Sequence, residues 1–280
     1  MEEISDNYFD MLPEDCVSEI LSLTSPLDAC RSCLVSPNFR SAMESDIVWR
    51  KFLPSHADLQ NIISRLVTPL KFSSNKELFF CLCHPVLLDS GKMSFKLQKS
   101  CGRKSYMLSA RSLSITWSNN PLYWFWLPSS GSRFAEVAVL RSTHWLEIEG
   151  KIKTEMLSPN SIYGAYLIIK ITHRAYGFDS VAAEVSVEVG DQVSSSGRVY
   201  LVVDHHGKHD KKMLRSSPLI QGDDQRIPCE KENGWMEIEL GEFCSGDHGD
   251  HKEVKMSLKE VKGCQLKGGL IVEGIEVRPK

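Results

Sequence analysis

The apolar positions of this chain change their period once. Before about residue 90 they recur at helical spacing, in short runs opened by serine or proline. Leu12-Pro13-Glu14-Asp15 puts proline at a helix start and acids in the first turn, and Cys16, Val17, Ile20 and Leu21 follow as one stripe. Ser25-Pro26-Leu27-Asp28 repeats the start signal with Ser25 as cap, followed by Leu27, Cys30 and Leu34, and Ser36-Pro37 repeats it again. A fourth helix runs from Ser45 to a proline stop at Pro54 and carries Trp49. Leu59, Ile62, Ile63 and Leu66 predict an amphipathic helix over 58–67, and Asn75 to Cys83 predicts another, halted by Pro85.

After Gly91 the period becomes two. Leu146 and Ile148 alternate with Trp145, Glu147 and Glu149; Val185, Val187 and Val189 with Glu184, Ser186 and Glu188; Met236, Ile238 and Leu240 with Glu237 and Glu239. Such alternation predicts strands with one buried and one wet face, as in an antiparallel sheet. Further β-rich runs at Tyr163–Ile171, Arg198–Val203 and Leu270–Val277 predict a sandwich or jelly-roll.

Charge follows the same division. Residues 1–55 hold ten acids and four bases, residues 56–110 three acids and eight bases, and residues 111–280 twenty-three acids and twenty-one bases. The net charge of −3 over 280 residues argues against a strongly basic nucleic-acid binder, while hiding an acidic head and a basic connector. The acidic start MEEISDNYFDM lacks the basic n-region of a secretory signal, and no run approaches the apolar length of a membrane span.

Nine cysteines, an odd number, and the absence of an N-glycosylation sequon favour a reducing, intracellular setting with free thiols. Cys30-x-x-Cys33 and Cys81-Leu82-Cys83-His84 have the ligand types of a zinc site, but both lie in helical apolar patterns where cysteine acts as a small hydrophobe, so no metal is expected. The loops Asp204–Asp210 and Asp247–His251 concentrate histidine and aspartate and read as solvated loops. No nucleophile motif, phosphate-cradling glycine loop or dinucleotide fingerprint is present. Tryptophan is distributed unevenly: Trp49 stands alone in the head, whereas Trp117, Trp124, Trp126 and Trp145 crowd one stretch and Trp235 follows later.

The head resembles an F-box. Leu12-Pro13-Glu14-Asp15, Ile20-Leu21, Pro26-Leu27-Asp28-Ala29, Val35-Ser36 and Asp46-Ile47-Val48-Trp49 match that motif in order and spacing. The resemblance implies docking on the Skp-type adaptor of a cullin-based ubiquitin ligase, with Leu12, Pro13, Ile20, Leu21 and Leu27 as apolar anchors and Trp49 as internal packing.

The body, from about Lys104 onward, resembles the phloem protein two family of plant lectins, of the tobacco-leaf-lectin (Nictaba) type. The matching blocks include Tyr106–Arg111, Leu113–Trp117, Tyr123-Trp124, Trp145–Ile148, Gly150–Ile152, Gly234–Phe243 and Gly274–Pro279. That resemblance implies binding of N-acetylglucosamine oligomers or N-glycan cores, with Trp117 and Trp124 as sugar platforms and Glu253 and Glu260 as acidic partners. Stacking on an aromatic face and hydrogen bonding to a carboxylate are the chemistry a pyranose needs. Trp126, Trp145 and Trp235 read as packing residues.

The expected organisation is therefore multidomain α plus β: an all-helical F-box over 8–54, a helical connector over 55–103, and an antiparallel β-sandwich lectin domain over 104–280. The expected function is a non-catalytic substrate-recognition subunit of a Skp-cullin-F-box ligase that binds glycan, needs no cofactor, and resides in nucleus and cytoplasm. Two further readings stay open: a stress- or defence-related lectin acting without the ligase, and a lectin-fold domain that binds protein instead of sugar. An enzyme acting on glycans would instead turn chito-oligomers over.

Overall fold

The structure is a computed structural model and describes residues 12–179, 181–201, 225–247, 249 and 251–280. The histidine-rich loop Asp204–Asp210, the end of the run Arg198–Val203, and His248 and Asp250 of the second loop lie outside these residues. The chain divides into two compact units, one formed by residues up to Ser90 with Phe95–Ser105, the other by Gly91–Ser94 with Tyr106–Lys280.

Among the described residues the first unit holds six α-helices: α1 (Glu14–Ser22), α2 (Pro26–Ser32), α3 (Pro37–Ala42), α4 (Asp46–Phe52), α5 (His56–Ser64) and α6 (Asn75–Leu82). Serine side chains cap four of them. Ser25 Oγ accepts from the Asp28 amide at 3.1 Å, and Ser45, Ser55 and Ser74 accept from Ile47, Asp58 and Glu77. Each such cap satisfies an amide that the helix itself leaves unpaired, worth about 1 kcal/mol. Ser36 holds the equivalent place before α3, yet its hydroxyl makes no capping bond. Trp49 is the centre of the core: it is buried, donates Nε1–H to the Met43 carbonyl at 2.6 Å, and packs against Phe52 and Phe79. The connector is not wholly helical. After α6 it turns to strand, with β1 (Val86–Leu88) and β2 (Met93–Leu97), and Arg65 grips Asp89 with a two-pronged bond at 3.0 and 2.6 Å.

The strands that follow are β3 (Lys104–Ser109), β4 (Ser114–Ile115), β5 (Trp124–Pro128), β6 (Glu136–Leu140), β7 (Leu146–Lys153), β8 (Ile162–Tyr176), β9 (Ala183–Val189), β10 (Gln192–Val199), β11 (Gln225–Arg226), β12 (Cys229–Glu230), β13 (Met236–Cys244), β14 (Glu253–Glu260) and β15 (Gly268–Pro279). In the second unit one sheet runs β3–β15–β8–β13–β12, with β6 also on β15 and β5 on β6. The other runs β11–β10–β9–β14–β7–β4. All the pairings are antiparallel except β10 with β11. The predicted alternation holds in β7, whose Leu146, Ile148, Gly150 and Ile152 point inward.

Two glycines mark close approaches, one between the sheets and one between neighbouring strands. A methyl group on Gly150 would stand 2.9 Å from Ile275 Cδ1 and 3.0 Å from Leu113 Cδ2, because at this point β7 lies against the other sheet. Gly274 follows the bulge in β15, beside β3, and a side chain there would be driven into the Leu108 carbonyl, which is backbone and has no room to yield. Gly274→Ala is expected to cost about 3 kcal/mol or more, at or beyond the upper end of ordinary overpacking, and to lower the denaturation midpoint in a urea titration.

Candidate functional sites

In the helical unit Ile20, Leu23, Leu27, Leu34, Val35 and Ile47 are exposed large apolar side chains, with Val67 and Phe72 further along the chain. Of the five expected adaptor anchors, Ile20 and Leu27 are 43% and 42% exposed, Pro13 is exposed and Leu12 half-buried. Leu21 is different. It is 1% exposed because it occupies the inward side of α1 beside Val17, so it holds the helix to its neighbours and offers a partner nothing. Leu23, Leu34, Val35 and Ile47 were not among the expected anchors: the first three lie in turns, where a helical stripe is silent, and Ile47 is an exposed residue at the start of α4, beside the buried Val48 and Trp49.

The cysteines are all unpaired. Burial pushes the Cys83 thiol up to about 11, against an opposing pull from Lys99; burial, and then Cys33, also raise the Cys30 thiol. These are thiols held in their protonated, unreactive form.

In the sheet unit, the loop 116–123 carries Trp117 and is tied at both ends, by Thr116 N–H to the Glu147 carbonyl at 3.1 Å and by Arg141 N–H to the Tyr123 carbonyl at 2.8 Å. Trp117 has φ +60°, a left-handed conformation that costs a bulky residue about 1–2 kcal/mol. The result is a ring 40% exposed, packed on Tyr123 at 4.8 Å between centroids and on His144 at 5.7 Å. Trp145 joins the same surface at 37% exposed. The Thr143 hydroxyl accepts its amide and donates to its carbonyl, turning it outward just before β7. Its indole N–H donates to Glu147 Oε2 at 3.0 Å, and the Thr116 hydroxyl donates to the same oxygen at 3.2 Å, while Lys259 pairs with Oε1 at 3.0 Å. These bonds, the indole's first, hold the Glu147 carboxyl below the usual range and so keep it charged. Trp117, Tyr123 and His144 thus pack together, and Trp145 is tied to the same loop through Glu147, which also accepts from Thr116.

Trp124 is not part of that surface. It opens β5 at 2% exposed, among the largest buried side chains, and its Nε1 has no hydrogen-bond partner among the described residues. The two expected acids also separate. Glu253 and Glu260 are seven residues apart on β14, an odd interval, so they point to opposite faces. They also sit about 23 Å apart along the strand, at roughly 3.3 Å per residue. Glu253 is exposed and pairs with Lys151 at 2.8 Å. Glu260 shares the inward face with Val254, Met256 and Leu258, and forms an ion pair with Lys267 in which the side chains are 4% and 2% exposed. Lys267 also donates to the carbonyls of His144 at 2.8 Å and Gln265 at 3.1 Å, and burial lowers its ammonium below the ordinary lysine range. Glu260 therefore acts beneath the aromatic surface, by holding Lys267 against the backbone of the bend that presents His144.

Trp235 is buried and bonds the Gly131 carbonyl at 2.9 Å, and Trp126 lies under the Arg111 guanidinium at 3.6 Å. Trp145 was expected to pack and instead lies at the surface. Of the described part of the second histidine loop, His251 Nδ1 stands 2.8 Å from Glu155 Oε2. Among the described residues no cluster of histidine, cysteine and acids is placed to hold a metal, and no helix is long and apolar enough to cross a membrane.

Two family models fall in turn on the helical unit and on the antiparallel sheet unit, and together they define the class: F-box substrate receptors with a lectin-like domain. An F-box domain model matches residues 9–51 and a Phloem protein 2 model matches residues 103–279. The chain is 50% identical over 283 residues to F-box protein PP2-B15 of Arabidopsis thaliana, covering 96% of each. It is 47% identical to F-box protein PP2-B13 and to F-box protein VBF of the same plant, covering 96% of this chain and 98% and 99% of theirs. The chain belongs to the phloem protein 2 family of F-box proteins. Among solved structures, a Podospora anserina mannanase carrying a CBM35 module is similar over 63% of this chain and 28% of its own, at 7% identity and TM-score 0.34, too remote to bear on ligand.

Proposed function

We propose that this protein is the substrate-recognition subunit of a Skp-cullin-F-box ubiquitin ligase and that its sheet unit binds N-acetylglucosamine oligomers or N-glycan cores. The observation that carries the reading is the presence of two exposed apolar surfaces on two separately cored units. Ile20, Leu27 and their neighbours suit a protein partner, and Trp117 with Tyr123 and Trp145 suits the C–H face of a pyranose. His144 and Lys259 stand beside the rings as hydrogen-bonding groups for hydroxyls. The chain supplies no chemistry to either ligand; transfer of ubiquitin belongs to the partners it assembles. The proposed setting is nucleus and cytoplasm.

Retention on immobilised N-acetylglucosamine oligomers tests the sugar half. Trp117→Ala is expected to lose retention about 5- to 150-fold with a cooperative melt kept and its midpoint at most modestly lowered, since removing the indole loses stacking worth about 1–3 kcal/mol per ring and, in the fold, only its packing on Tyr123 and His144. Trp124→Ala is expected to lose about 3–5 kcal/mol of stability through a core cavity. Retention by Trp117→Ala equal to wild type would remove the sugar assignment from this surface.

A further inference from the structure

We infer that the outer face of the first sheet holds a second ligand site, separate from the Trp117 surface, that takes a neutral polyhydroxylated ligand of the saccharide class. A cleft of about 790 Å³ opens there, within the range of small-ligand sites. Its floor is Ile168 of β8 and the edge of Trp235, one face of whose indole is taken by the Lys170 ammonium at 4.5 Å. Arg133 and Glu273 form one wall; Lys231 and Asn233, from the turn before β13, form the other.

The walls are built, not loose. Lys231 N–H donates to the Trp235 carbonyl at 2.7 Å, and Trp235 Nε1–H to the Gly131 carbonyl at 2.9 Å, so the two rims are tied across the floor. Glu276, 1% exposed, lies beneath and draws Arg133 at 3.3 Å and Lys231 at 3.5 Å. Glu273 is itself 4% exposed. Its Oε1 accepts from the Arg133 amide at 2.7 Å and the Ser132 hydroxyl at 2.9 Å, which leaves Oε2 with no protein donor among the described residues. A carboxylate whose other oxygen is held by two donors, and whose Oε2 opens on the cleft, is an oriented acceptor for a donor from outside.

Charge selects the ligand class. The lining carries Arg133 and Lys231 against Glu230 and Glu273, so an anion meets two carboxylates and a cation meets two bases. Neither sign is favoured, whereas vicinal hydroxyls, which donate and accept in alternation, match a guanidinium, a carboxylate and an amide set around an indole edge.

The test is a glycan array read with the full-length chain as wild type, Trp117→Ala, Glu273→Gln and Arg133→Ala, each with a thermal melt. Glu273→Gln keeps one acceptor oxygen for the Arg133 amide but cannot offer a carboxylate to the cleft. The expected result is a set of neutral glycans bound equally by wild type and Trp117→Ala, and weakened at least tenfold by Glu273→Gln and by Arg133→Ala with melts intact. If Glu273→Gln does not fold, Arg133→Ala decides by the same criterion. The inference is overturned if every glycan bound by wild type is lost in Trp117→Ala, if none is weakened by the cleft variants, if wild type binds no glycan, or if only charged ligands or peptides depend on the cleft. If the cleft variants weaken such a set and no glycan on the array is weakened in Trp117→Ala, the assignment of sugar to Trp117 falls while this site stands.

Discussion

Ile20→Asp with Leu27→Asp is expected to abolish binding of the Skp-type adaptor without unfolding the helical unit. Both side chains are more than two-fifths exposed, so their replacement alters few internal contacts, and surface changes of this kind shift stability by about 0.5 kcal/mol or less. At an interface the same positions act as apolar anchors, each worth about 2 kcal/mol, and two together weaken the complex on the order of a thousandfold. Isothermal titration of purified adaptor into the variant checks this, with far-ultraviolet circular dichroism as the control for fold. Leu21→Asp provides the contrast. Leu21 is a core residue, so this variant is expected to lose the cooperative melt of the unit, and any loss of adaptor would then report unfolding.

Glu260→Ala has the second large effect. Lys267 would be left 98% buried with its ammonium facing two carbonyls and no counter-charge, and removing one partner of a buried ion pair costs about 3–5 kcal/mol. Denaturant unfolding should show that loss. Glu260→Gln combined with Lys267→Met should recover part of it, because neither residue is then left as a buried, unpaired charge. Sugar retention by Glu260→Ala should fall in step with the folded fraction, since Glu260 supports His144 from below and does not reach the surface. Glu253→Gln, by contrast, removes only an exposed pair with Lys151 and should leave both melt and retention unchanged.

The helices were legible because their signals are local. Serine caps and proline starts lie within four residues of what they control, and α2, α4 and α6 begin where expected, whereas α5, expected over 58–67 from its apolar spacing, runs His56–Ser64 because Ser55 caps it. Strand alternation was equally legible in β7, β9 and β13. The short strands β5 and β6 were not, since a five-residue run has too few repeats to reveal a period. Nor was the strand β14, although Val254, Met256, Leu258 and Glu260 do alternate; read that way, the sequence alone places Glu260 inward and Glu253 outward. The tryptophans failed for a different reason. A seven-residue spacing fixes no orientation when the intervening loop contains a left-handed residue, and the φ of Trp117, set by the turn around it, sends that ring out while Trp124 enters the core. Trp145 was read as strand packing, but a bond pair from Thr143 turns it outward one residue before β7 begins. His144 and Tyr123 had no sequence signal beyond their nearness to tryptophan.

The central claim is that one chain joins a ligase adaptor to a glycan, and a co-retention measurement tests it most directly. Purified adaptor is passed over immobilised N-acetylglucosamine oligomers with the full-length chain, and both proteins are quantified in the fraction eluted by free oligomer. The account predicts that wild type carries adaptor onto the matrix in constant proportion. Trp117→Ala should carry neither, and Ile20→Asp with Leu27→Asp should be retained alone. Adaptor left in the flow-through while wild type is retained, or wild type that binds adaptor in solution yet ignores the matrix, would contradict it.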